Sequence, residues 1–406
     1  MIKYAERLVL QLVANCLNRV AVTEPSYRSY WNEISAIAKK HSILSLVLHA
    51  SITLSPELRP PDDMIVVWKK LIISSVMRNE QSMQAQASVI SKLQSSGIRC
   101  AVLKGTSVAA LYPKAEMRTL GDIDILVRRD QCDQAVAALI SDFYETHESD
   151  HSFHIGFHKA GAYLELHYAM SQLPVSPIGE IIDSRVYDAV DRAVTGSIEQ
   201  YAFPILVEPD QALSLLLHME RHLISEGIGL RQLCDWCVFV DSLSHERLHN
   251  DVLPVIRECQ LFQFASILTR ICVDHLGLDG SRHQWCMHIH KRTADELLAD
   301  IMDSGNIMSR DLERAASSTF VKGEESADGK QSMLSSATKN LTQSAKKQFP
   351  ICNKLPILLP VFWVYIPIRY LYRSMKGTRP KQSVSRIAKY AIKRKRLYRK
   401  LELFKK

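Results

Sequence analysis

No stretch of this chain reaches the length of about 18 uncharged apolar residues that a membrane-spanning helix needs. The opening residues, Met1-Ile2-Lys3-Tyr4-Ala5-Glu6-Arg7, mix charge into an amphipathic pattern and lack the apolar core of a secretory signal. There is no internal repeat, which excludes a solenoid. The nine cysteines are odd in number and widely scattered, so a disulfide scaffold is excluded and reduced thiols in the cytoplasm are expected. The one Cys-x-x-Cys, Cys234-Asp235-Trp236-Cys237, has no second copy to complete a zinc site.

What remains is an ordinary globular composition with an uneven charge. The 406 residues are 47% hydrophobic and 23% charged, which fits two domains or one large one. From Arg369 to Lys406 there are 15 Lys or Arg against the single acid Glu402, while the other 368 residues hold 36 basic and 42 acidic side chains. The body is therefore mildly acidic and the tail strongly basic. Such a tail fits nucleic acid, an anionic membrane surface or simple solvation.

Helical spacing dominates the first hundred residues. It predicts one helix over Glu33 to Ala50 and a long second helix that opens at Asp62 and Asp63 and ends at Gly97. The texture then changes. Ile98 to Leu103 reads as a buried strand, Thr106 to Tyr112 as a short helix closed by Pro113, and Asp122 to Val127 as a second strand. Gln131 to Ile140 is again helical. His154 to His158 and Ala162 to Tyr168 form a hairpin around a turn at Lys159-Ala160-Gly161. Helices resume with Gln211 to Ile224, capped by Asp210, then Leu230 to Leu243, Val252 to Leu276 and Ala294 to Met302.

These readings predict an α+β protein in which a small mixed-sheet core is embedded in helices. Five regions are expected: helical residues 1–97, the α/β core 98–206, a helical region 207–302, a Ser/Lys/Gly-rich linker 303–354, and an aromatic, proline-broken, then basic tail 355–406. In the tail, Arg386 to Lys400 has the spacing of an amphipathic basic helix.

The candidate chemistry lies between residues 103 and 167. Asp122 and Asp124 are two apart on a strand, so both carboxylates leave the same face. Their repulsion calls for a cation, and Mg²⁺ shared with substrate phosphates, with Mn²⁺ as the alternative, suits all-oxygen ligands. Lys104-Gly105-Thr106-Ser107 leaves a strand and enters a helix, presenting free amides and hydroxyls to a phosphate. Lys104 and Arg118 would add positive charge. In Tyr163-Leu164-Glu165-Leu166-His167 the leucines alternate with polar residues, which puts Glu165 and His167 on one face. Three acids on neighbouring strands suit two-metal phosphoryl transfer, with Glu165 as the third ligand or the base.

Leu103-Lys104-Gly105, Leu111-Tyr112-Pro113, Arg118-x3-Asp122-Ile123-Asp124-Ile125-Leu126-Val127 and Glu165-Leu166-His167 together resemble an uncharacterised bacterial nucleotidyltransferase family of the polymerase-beta-like superfamily. The resemblance covers roughly residues 30–310. It implies transfer of a nucleoside monophosphate from a Mg²⁺-bound NTP to a hydroxyl acceptor, with Asp122, Asp124 and Glu165 as metal and catalytic residues. Lys104, Gly105, Thr106, Ser107 and Arg118 would bind the nucleotide. The family name implies no acceptor, and a small molecule, a protein and an RNA end all fit. Two residues depart from the superfamily pattern: Gly105-Thr106-Ser107 replaces Gly-Ser, and Glu165 stands where Asp is usual. An inactive nucleotide- or nucleic-acid-binding regulator and a membrane-peripheral assembly protein are the alternatives.

Other features carry less. His218 and His222 are four apart on a helix, with Asp235 placed to orient one of them, yet the leucines around them favour packed imidazoles over a metal site. Arg221 and Arg231 are further candidates for a substrate phosphate. His283 to His290 holds a His/Cys cluster beside Trp285 and Met287, which reads as partly buried surface.

Overall fold

A computed structural model describes residues 2–22, 25–140, 145–147, 153–159, 162–171, 176–225, 227–305, parts of 342–369, and 384–403. The expected linker lies almost wholly outside them. The protein is α+β, and its described strands form one mixed seven-stranded sheet within a mainly helical chain.

Among the described residues four α-helices precede the sheet: α1 (Tyr4–Asn18), α2 (Trp31–Lys40), α3 (Leu44–Ile52) and α4 (Asp62–Ser95). The helix expected over Glu33 to Ala50 is in fact two. His41-Ser42-Ile43 interrupts it, with Ser42 in the left-handed region at φ 56°. Hydrophobic spacing continued across the break because both halves bury the same side, with Ile34 and Ala38 on α2 and Val47 and Ala50 on α3. α4 runs as expected, and Gly97 beyond its end adopts φ 72°.

The sheet is built from β1 (Cys100–Val102), β2 (Ile123–Val127), β3 (Glu145–His147), β4 (His154–Lys159), β5 (Ala162–His167), β6 (Val194–Ile198) and β7 (Tyr201–Ile205). Its order is β3-β4-β5-β2-β1-β7-β6. β2 is antiparallel to β1 and parallel to β5, while β1 runs parallel to β7. Between strands lie the one-turn α5 (Thr106–Ala109), α6 (Cys132–Ile140) and α7 (Pro177–Tyr187). α7 starts at Pro177, behind Ser176, whose Oγ accepts the Gly179 amide.

One face of the sheet is apolar. Ile123, Ile125 and Val127 of β2, Leu164 and Leu166 of β5 and Phe157 of β4 join Val89, Ile90 and Leu93 of α4 and Leu139 of α6 in one core. Full burial of side chains of this size contributes about 1.5–3 kcal/mol each before chain entropy is set against it. The pleat then sends Asp124, Glu165 and His167 to the opposite face.

The later helices are α8 (Glu208–Ile224), α9 (Leu230–Ser242), the short α10 (His245–Arg247), α11 (Leu253–Glu258), α12 (Phe262–Leu276) and α13 (Lys291–Ser304). The single helix expected over Val252 to Leu276 is also divided. Cys259-Gln260-Leu261 separates α11 from α12, and Gln260 sits at φ 54°. Asp210, expected as a cap, lies inside α8 and is fully buried, with Arg185 and Arg192 each 2.9 Å away.

The chain divides into two compact units. One comprises residues 1–221, 228–306 and 401–406 and contains the whole sheet; the other comprises 222–227 and 307–400. In the second unit, the basic helix Val384–Leu401 buries Arg394, whose Nη2 donates to the carbonyls of Leu223, Ile224 and Ser225. Those are last-turn carbonyls of a helix, which a cation satisfies well. Among the described residues no helix is long and apolar enough to cross a membrane.

Candidate active site

The parallel pairing of β2 with β5 sets Asp124 opposite Glu165. The alternation of β5 brings His167 to the same side, with its Nε2 3.1 Å from Asp124 Oδ1 and 3.2 Å from Glu165 Oε2. Lys104, just beyond β1, reaches in from the neighbouring strand. Its Nζ is 3.0 Å from Asp124 Oδ1 and donates to His218 Nδ1 of α8 at 2.9 Å. Asp122 precedes β2, exposed at its mouth.

The charges of this cluster are strongly coupled. Burial opposes ionisation of Asp124, but the Lys104 ammonium and the His167 imidazole outweigh it and hold its carboxyl below the ordinary range. Glu165 is lowered in the same way: burial resists, and its hydrogen bond to His167 wins. For His167 burial favours the neutral ring, yet the two carboxylates raise its pKa. Asp122 moves oppositely. Although the residue is exposed, its carboxyl is partly desolvated against the site, and with the negative charges of Asp124 and Glu165 this raises it to about 6, despite Lys104 and Arg231. The outer acid is thus short of positive charge while the inner acids are compensated.

Gly105 makes the turn after Lys104. At φ 76° and ψ −104° it adopts a backbone that other residues strongly resist. The first amides of the following α5 have no partners within that helix. The hydroxyls beside them are engaged in the protein. Thr106 exchanges hydrogen bonds with the Gln86 amide, at 2.8 and 3.2 Å, and Ser107 Oγ accepts from Gln211 Nε2 at 3.3 Å. Both residues are buried, so the turn presents its backbone rather than its hydroxyls.

Arg118 stands apart from the acids of β2. Its guanidinium forms a bidentate pair with Asp235 of α9, at 2.8 Å on each arm, and Tyr112 donates to the same carboxylate at 2.7 Å. Burial works against the charge of Arg118, and Asp235 more than restores it. Asp235 therefore anchors Arg118 and Tyr112, not the histidines of α8. Arg231, one turn earlier on α9, donates to the Thr119 carbonyl at 3.0 Å beside Gly121 and faces the charge of Asp122. The thiols of Cys234 and Cys237 are buried in α9, and burial pushes that of Cys234 far up.

Of the residues expected at a site, Lys104, Asp122, Asp124, Glu165 and His167 come together, with Gly105 at the adjoining turn. Arg118 is held in a buried knot. His154 was not anticipated: it lies across from His167 on β4, with its Nε2 3.7 Å from Glu165 Oε1. The signal was the hairpin register. A three-residue turn from Lys159 to Gly161 puts His154 one place off, whereas Lys159 pairs with Ala162 and aligns the two histidines.

Residues 28–277 match the family described as "Uncharacterised nucleotidyltransferase". The chain belongs to that family. No curated protein is significantly similar to it. The match takes in the strand–turn–helix at Lys104, the Asp122/Asp124 strand and the Glu165 strand, together with helices on either side. It makes the protein a nucleotidyltransferase by family, with the acceptor unidentified.

Proposed function

We propose that the protein transfers a nucleoside monophosphate from an NTP to a hydroxyl acceptor with release of pyrophosphate, acting at Asp122, Asp124 and Glu165. The observation that carries this reading is the convergence of the acids: Asp124 faces Glu165 across the paired strands, Asp122 stands two residues before Asp124, and Lys104 lies 3.0 Å from Asp124. Burial and its two acidic neighbours raise Asp122 to about 6, as crowded like charges do. A divalent ion such as Mg²⁺ fits there, and Asp122 and Asp124 would hold it jointly with substrate phosphates. Such an ion supplies charge neutralisation for the departing pyrophosphate.

The side chains do the rest. The backbone of Gly105, Thr106 and Ser107 would cradle phosphate oxygens. Lys104, 3.0 Å from Asp124, would exchange that contact for one to the triphosphate. Arg231, beside Asp122, is better placed for this than Arg118, whose two arms serve Asp235. Glu165 would accept the proton of the acceptor hydroxyl or complete the metal's ligands. The protein is read as cytoplasmic, and its basic tail as a surface for nucleic acid or anionic membrane.

The test is pyrophosphate release from each of the four NTPs with Mg²⁺ or Mn²⁺, with cell extract as the acceptor pool. Release by the wild type and none by the Asp122→Ala/Asp124→Ala double variant supports the reading. Metal-dependent nucleotide binding without release by either protein would instead favour a regulator that has kept the fold.

A further inference from the structure

The Glu165 side of the site is chemically unlike the Asp122 side. Glu165 lies between two imidazoles, 3.2 Å from His167 Nε2 and 3.7 Å from His154 Nε2. The second distance is too long for a hydrogen bond. One ligand atom from each of His154, Glu165 and His167 falls within 4.8 Å of the others, the sole such grouping of three metal-capable residues among the described residues. A tetrahedral ion with bonds of 2.0–2.2 Å sets its ligand atoms roughly 3.3 Å apart. Each imidazole Nε2 approaches its own oxygen of Glu165, His167 at Oε2 and His154 at Oε1, at 3.2 and 3.7 Å. With one ligand atom from each residue within 4.8 Å of the others, the three are close enough for small side-chain shifts to bring them onto one ion.

The fold holds these residues in place. His154 and His167 are direct cross-strand partners on β4 and β5, and Glu165 lies two residues before His167 on the same face. The imidazoles are 2% and 3% exposed and Glu165 14%, so the pocket is closed behind the histidines and open beside the carboxylate. Phe153 packs on both rings, with centroids 4.6 Å from His154 and 5.9 Å from His167. A dry wall of this kind favours metal–imidazole bonding.

We propose that His154, Glu165 and His167 form a binding site for a divalent transition ion of the zinc class, selected over Mg²⁺. Mg²⁺ demands an oxygen-rich, largely hydrated shell, whereas two imidazoles and one carboxylate with an open fourth position suit Zn²⁺ or Co²⁺. Asp124 keeps its contact with Lys104 at 3.0 Å and would give up the one with His167 Nε2, 3.1 Å away, when that nitrogen turns to the ion. Because it shares Glu165 with the proposed catalytic set, the site's role in transfer rests on that reading; its existence does not.

Co²⁺ titration of the full chain, followed by visible d–d absorption, tests this without any turnover. The wild type should bind one Co²⁺ with the strong absorption of a four- or five-coordinate ion, Zn²⁺ should displace it, and a hundredfold excess of Mg²⁺ should not. His154→Ala, which leaves Asp122 and Asp124 intact, should weaken Co²⁺ binding at least tenfold to a hundredfold. His167→Gln serves as the second variant, and circular dichroism identifies a protein that has not folded. Weak six-coordinate absorption, displacement by Mg²⁺, or unchanged affinity in folded His154→Ala would overturn the assignment. Loss of pyrophosphate release with intact Co²⁺ binding would count against the proposed transfer reaction alone.

Discussion

Lys104 with Asp124 and Arg118 with Asp235 are two cation–carboxylate pairs built to different ends. Arg118 and Asp235 meet through two bonds of 2.8 Å, each side chain is 6% exposed, and Tyr112 donates a further hydrogen bond. Every strong group in that knot is matched by planar geometry, as a fixed buried pair requires. Lys104 and Asp124 meet through one contact of 3.0 Å, and Lys104 is 17% exposed and shared with His218. An ammonium on a flexible stem can be exchanged for another cation in a way that a bidentate guanidinium cannot. The comparison separates a fastening from a working site: the first is a closed pair, whereas the second borders Asp122, where burial and two neighbouring acids outweigh the charges of Lys104 and Arg231.

The largest test of this contrast is Asp124→Asn. If the Lys104 cluster is the working site, steady-state pyrophosphate release should fall by about 10³-fold or more, since the ion and the phosphates lose their shared ligand. Asp235→Ala tests the other side. It leaves Arg118 charged and buried without its partner, which should cost about 3–5 kcal/mol in urea unfolding. A loss below about 1 kcal/mol would mean that the knot is not a fastening.

A smaller effect comes from pH. The pKa of Asp122 is about 6 in the folded protein, above its ordinary 3.8, so the native state holds the proton more tightly than the unfolded chain. Its contribution to stability is therefore lost as pH rises from about 4 to about 6. The difference in unfolding free energy between the wild type and Asp122→Asn should change in that direction across the window. Saturating Mg²⁺ should flatten it. A difference that stays flat without metal would remove the case for an uncompensated acid.

Much of the architecture is visible in local spacing. The α4 helix, the β1 and β2 strands and the hairpin announce themselves because each carries an unbroken period and a terminating glycine or turn. The breaks at Ser42 and Gln260 do not, because a single left-handed residue leaves the hydrophobic phase intact on both sides. The strands β6 and β7 were missed for another reason. Val194–Ile198 is largely exposed along an edge and carries no alternating apolar face. At the site, same-strand relations such as Asp122 with Asp124 can be read directly, and so can Glu165 with His167. Relations that depend on tertiary pairing cannot. Nothing in the spacing joins Arg118 to Asp235 across 117 positions, and His154 enters only once the hairpin register is known.

The most direct test measures two variants side by side, Asp124→Asn and Asp235→Asn, for both thermal midpoint and pyrophosphate release per folded molecule. The account predicts that folded Asp124→Asn loses turnover whatever its midpoint, while Asp235→Asn loses midpoint and its folded fraction still turns over. Turnover retained in folded Asp124→Asn would contradict the assignment of the Lys104–Asp124–Glu165 cluster as the catalytic site.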